Sequence, residues 1–110
     1  MIFLDANIIL RLLTTATSPK TRRMKAQARA LFHQIERGEI PATTSEVVLH
    51  EVAYVLTSSR QYALRPEEAV PLLESILRKR GMRFPGDDST IYLRAVEIWS
   101  SIPGSSFRIQ

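Results

Sequence analysis

The spacing of apolar residues changes along the chain, and each change marks an element. Met1 to Leu4 is a short apolar run that stops at Asp5, the pattern of a buried parallel strand. Ile8-Ile9-Leu10 and Leu12-Leu13 then predict a short helix, followed by a loop over Thr14 to Pro19. From Lys20 to Arg37 the period is helical. Met24, Ala28, Leu31, Phe32 and Ile35 share one face, and Arg22, Lys25, Arg29 and His33 form a stripe on the other. Gly38 is placed to stop that helix. A short strand is expected over Ile40 to Thr43.

Thr43-Thr44-Ser45-Glu46 matches the Ser/Thr-x-x-Glu capping box and predicts a helix from there to about Arg60. Pro66-Glu67-Glu68 predicts another start, with proline in the first turn and acids at the positive helix end. Val70, Leu73, Ile76 and Leu77 supply its apolar face. Pro71 should bend it or delay its start, and Gly81 should end it. Met82 to Phe84 reads as a strand. Asp87-Asp88-Ser89 reads as the cap of a last helix carrying Tyr92, Ala95, Trp99 and Ile102, which Pro103-Gly104 stops. Strands alternating with helices imply an α/β fold with a short parallel sheet.

The 110 residues suit one domain, and the run of residues 1–110 is read as a single unit. There is no cysteine, so no disulfide, thiolate metal site or cysteine nucleophile is available. No apolar stretch approaches the roughly 18 residues of a membrane span, and the first residues lack the basic region of a signal peptide. A cytoplasmic protein with no membrane partner is expected. Lys and Arg number 15 against 11 Asp and Glu, a formal charge of +4. Distribution matters more than the sum. Between Ala6 and Ile35 there is no acid, while Arg11, Lys20, Arg22, Arg23, Lys25 and Arg29 all lie there. Such a stretch suits a phosphate backbone, or else is a solvated helix face.

Two carboxylates stand out. Asp5 falls where an apolar strand meets a helix, so it reads either as an N-cap or as a ligand at the sheet edge where α/β folds bind. Glu51 falls between Val47 and Val55 on the helical wheel, with Val48 and Val52 nearby. A carboxylate among apolar neighbours needs a cation or donors to satisfy it. That cation is a metal or, in a purely structural role, a guanidinium such as that of Arg11. His50 has no metal-ligand spacing and reads as structural. Hard oxygen donors of this kind suit Mg²⁺ or Mn²⁺, and beside a basic surface they point to metal-assisted phosphodiester hydrolysis.

The opening Ile-Phe-Leu-Asp-Ala-Asn-Ile-Ile-Leu-Arg-Leu-Leu, with Asp5, Ala6 and Asn7, resembles the first motif of PIN-domain proteins, above all the VapC toxins of toxin–antitoxin pairs. Val47 to Leu56 with its one Glu resembles their second motif, and Ala95 to Trp99 is also similar. The resemblance covers nearly the whole chain. It implies a PIN-like three-layer α/β fold and a magnesium-dependent endoribonuclease. It also implies a cognate antitoxin as inhibitor and a homodimer. Asp5 and Glu51 would be metal ligands and catalytic groups, with Asn7 supporting the site. Apart from the resemblance, Arg22, Lys25 and Arg29 of the basic stripe are the residues expected to face RNA.

The resemblance departs from the family near its end. Pro103-Gly104-Ser105-Ser106-Phe107 matches the approach to a third acidic residue, but Ile109 stands at that position. The later Thr-x-Asp strand is not there, so the domain reads as incomplete, with C-terminal strands missing. The expectation is weak or absent cleavage, an exposed first strand, and a dimer with or without exchanged elements. The competing reading is a catalytically inert PIN remnant that acts through dimerisation or antitoxin binding. A third is an RNA-binding helical module that uses the α-helical basic stripe without metal.

Overall fold

A computed structural model describes residues 1–84. Among them are β1 (Ile2–Phe3), α1 (Ala6–Leu13), α2 (Pro19–Glu36), β2 (Ala42–Thr43), α3 (Glu46–Thr57) and α4 (Pro66–Leu77). The architecture is mixed α/β, with four helices and a short parallel sheet. The helix expected after Asp88, and everything from Pro85 to Gln110, lies outside the described residues.

The two strands pair in parallel, Ile2 with Ala42 and Phe3 with Thr43. The Ile2 amide donates to the Pro41 carbonyl at 3.0 Å and the Leu4 amide to Thr43 at 2.8 Å. The third expected strand is reduced to one parallel bridge, Met82 to Ala42. It lies on the far side of β2, because Ala42 donates to the Gly81 carbonyl and accepts from Arg83. β1 is thus at the edge among the described residues. Ile2 and Phe3 are exposed there, 36% and 58% accessible, where the apolar run had suggested burial.

Helix boundaries follow local chemistry. Ser18 caps α2, accepting from the Thr21 amide while the Thr21 hydroxyl accepts from the Ser18 amide. Pro19 is then the first helical residue, which moves the start one residue ahead of Lys20. Gly38 ends the helix at φ +75°, as a glycine in the left-handed region does. The cap of α3 is Ser45, not Thr43; its hydroxyl accepts from the Val48 amide. Residue Val48 occupies the third position, so no reciprocal box forms. Thr43 and Thr44 remain with the strand, and α3 ends at Thr57, three residues short of Arg60. α4 starts at Pro66 and runs through Pro71, which is exposed, but it ends at Leu77 rather than at Gly81.

α1 packs on α2 and α3, and α3 packs on α4. Leu4, Ile9, Phe32, Ile35, Leu49, Val52, Leu56, Leu73 and Ile76 form the fully buried centre between them. Burial of a side chain of this size contributes ~1.5–3 kcal/mol, so this cluster fixes how the helices meet the sheet. Among the described residues no helix is long and apolar enough to cross a membrane.

Candidate functional site

Both strands run in the same direction, and each leads at its carboxyl end into a helix. Continuing the Ile2–Ala42 register puts Asp5 alongside Ser45. These two residues are the N-caps of α1 and α3. Thr44 ties the two strand ends together: its buried hydroxyl donates to the Leu4 carbonyl at 3.0 Å. The edge therefore carries two helix N-termini side by side, a local field that favours negative charge.

Asp5 is exposed. Its Oδ1 accepts from the Ile8 amide at 3.0 Å, so the capping role is realised. Its second oxygen has no partner among the described residues. Capping uses one carboxylate oxygen and leaves the other for a ligand, so the two readings of Asp5 are compatible. Asn7 is exposed one turn-position inside α1.

Glu51 lies six residues beyond Ser45, about 9 Å along the α3 axis. It is exposed, with no cation pairing it among the described residues. This differs from the desolvated carboxylate drawn from the helical wheel. A wheel counts neighbours on the same helix only, and here the core covers Leu49, Val52, Ala53 and Leu56 instead. Val47, Glu51 and Tyr54 lie on the uncovered face; Val47 is 75% accessible. The pairing of Glu51 with Arg11 is not made. His50 is half-buried.

The basic stripe of α2 divides. Arg22 and Arg29 are exposed. Lys25 is half-buried, and its Nζ donates to the Leu12 carbonyl at 3.1 Å and the Thr14 carbonyl at 2.5 Å. It thereby satisfies carbonyls that the end of α1 leaves open. Arg29 lines a separate hollow with Phe32, His33, Glu36 and Lys79. Sequence reasoning missed the roles of Thr44 and Lys25. Both act over more than ten residues of chain, and no local pattern announces them.

The donor chemistry can be tested against a divalent ion. Asp5 and Glu51 offer hard oxygens that no cation neutralises among the described residues. The described residues hold no group of three Asp, Glu, His or Cys side chains that could hold a metal ion. This set suits a hydrated ion such as Mg²⁺, which keeps several waters and binds through one or two carboxylates plus substrate phosphate. It does not suit a caged structural metal.

A family model described as PIN domain matches residues 2–102. No curated protein and no solved structure matches the chain.

Proposed function

This chain belongs to the PIN-domain family, and on that premise we propose that it is a metal-dependent endoribonuclease of the VapC toxin type. Its cleavage is slow, and its site is built on Asp5 and Glu51. PIN domains are generally nucleases that act on RNA and use divalent metals. The observation that carries the reading is the register-matched pair of strand ends, from which the helices bearing Asp5 and Glu51 both start.

Asp5 and Glu51 would hold Mg²⁺ or Mn²⁺, and Asn7 would orient the site by hydrogen bonding. When bound, the ion supplies Lewis acidity to the scissile phosphate and makes a nearby water more acidic. The chain's own work is positional. The Ile8 amide fixes the Asp5 carboxylate in one rotamer. Thr44 fixes the distance between the two strand ends. The paired N-termini stabilise negative charge that grows on the phosphate. Arg22 and Arg29 on α2 attract the RNA backbone without reading its bases.

The test is cleavage of single-stranded RNA in magnesium. Slow cutting is expected, abolished by chelator and reduced at least about a hundredfold in Asp5→Asn and in Glu51→Gln, the range for loss of a key charged group. Cutting that survives both substitutions would refute the site. The family likeness also supports a cytoplasmic toxin held by a cognate antitoxin, and a homodimer.

A second reading has its own observation. Met1 and the β1 residues Ile2 and Phe3, and Val47 and Tyr54 on α3, are exposed apolar groups. An inert PIN remnant working through self-association or antitoxin binding would use these groups. It predicts self-association or antitoxin binding with no metal-dependent cutting.

A further inference from the structure

A hollow of about 310 Å³ lies between α1 and the start of α2; it shares Asn7 with the site, but neither Asp5 nor Glu51 lines it. Asn7, Arg11, Thr14, Thr17, Lys25 and Tyr62 are on its walls. We propose that it holds one nucleotide of single-stranded RNA, the neighbour of the nucleotide whose phosphodiester meets Asp5 and Glu51. The RNA ligand rests on the nuclease reading; the anion chemistry does not.

The charge argument comes first. All of these residues except Tyr62 fall in the stretch from Ala6 to Ile35 that contains no acid. No acidic side chain among the described residues lines the hollow. Neither Arg11 nor Lys25 pairs with a carboxylate among the described residues. Lys25 is held in place by the Leu12 and Thr14 carbonyls, which take two of its three donors. Its charge is therefore fixed before any ligand arrives, which reduces the ordering cost of binding. Two uncompensated cations in a concave site, one of them preorganised, form a phosphate site.

The other walls suit the rest of a nucleotide. The Thr15 and Thr17 hydroxyls have no partner among the described residues and offer hydrogen bonds to sugar or phosphate oxygens. Tyr62 is 45% accessible, so its ring is open to stack a base. The volume is at the lower end of the range for small-ligand sites, enough for one nucleotide and not for a duplex. Asn7, Leu10, Arg11 and Thr14 step along one face of α1, joining the hollow to the helix that Asp5 caps. From Asn7 to Thr14 is about 10 Å along the axis. That distance suits one nucleotide displaced from the reacting one.

The experiment is equilibrium binding of a short fluorescein-labelled oligouridine, read by anisotropy across a salt series, with chelator present so that nothing is cut. Arg11→Gln is expected to weaken binding several-fold and to reduce the slope of log K against log salt by about 0.7, one phosphate contact on a single strand. Tyr62→Ala is expected to weaken it about tenfold, with Tyr62→Phe restoring the parent value, as stacking requires. Arg11 and Tyr62 are exposed, so neither change threatens the fold. Parent-like binding by both Arg11→Gln and Tyr62→Ala would overturn the proposal. So would inorganic phosphate binding as tightly as the RNA, which would make this a free-anion site. Failure of the nuclease reading looks different: the parent would not cut RNA in magnesium, while these same substitutions would still weaken binding.

Discussion

Gly81 shows how one residue can hold separate elements together. Its amide donates to the Ile35 carbonyl at 2.8 Å at the end of α2, and its carbonyl accepts from Ala42 in β2 at 3.0 Å. A Cβ built there would lie 2.6 Å from both the Ile35 and Ile40 carbonyl oxygens. Those are backbone atoms and cannot swing aside. Gly81→Ala should therefore cost about 2 kcal/mol by overpacking and lower the melting temperature by roughly 10 °C. Thermal unfolding followed by circular dichroism tests it, and a melting point equal to the parent's would contradict the packing. Asp5 makes a different point. Asparagine caps as well as aspartate, so Asp5→Asn removes charge while keeping α1 capped. That choice separates chemistry from stability, which Asp5→Ala would not. Asp5 was legible because strand, acid and helix follow one another in the sequence. Gly81 reads in the sequence as a helix stop, which it is not, since α4 ends at Leu77; its real constraint comes from carbonyls some forty residues upstream.

At the scale of elements, the starts of helices were more legible than their ends. Pro66 opens α4 where the sequence places it, and the capping-box pattern puts the α3 cap two residues early; the Ser18 cap was missed, although the α2 start is expected only one residue late. Ends depend on what the chain meets next: α4 stops at Leu77 because the following turn delivers Met82 to β2. The exposure of Glu51 was not legible for the same reason. Which part of a broadly apolar helix is covered depends on α1 and α4, not on α3 itself. The start of α4 also makes a pH prediction. Glu68 accepts from the Arg65 amide and then from its guanidinium, both at 3.1 Å, and these hold its carboxyl below the usual glutamate range. A lowered native value means stability that is present above the unfolded value of about 4.3 and lost as pH falls through the native one. Glu68→Gln should therefore flatten the acid limb of the urea midpoint below about pH 4, and leave its slope near neutrality unchanged. The site is fully solvated, so the change should be small; an acid limb identical to the parent's would remove Glu68 from the account.

The whole molecule raises the question of what covers β1. In the ladder the Ile2 and Leu4 amides face β2, so the Phe3 amide and carbonyl face the other way. Among the described residues no strand pairs with that side. Met1, Ile2 and Phe3 are exposed beside it, with Met1 78% accessible. An apolar strand edge with free donors and acceptors is a template for pairing, and a second copy of the chain offers the same edge. A two-fold pairing across β1 would bury both rows and would bring two Asp5-bearing edges into one assembly. Light scattering coupled to size exclusion should therefore give a dimer that weakens on dilution. Phe3→Lys should shift it to monomer, because a lysine on an edge strand carries charge into the space the partner would fill. Far-UV circular dichroism should stay unchanged, since Phe3 contributes nothing to the buried centre. A parent that stays monomeric at high concentration would show that the edge is covered from within the same chain, and the dimer would have to be abandoned.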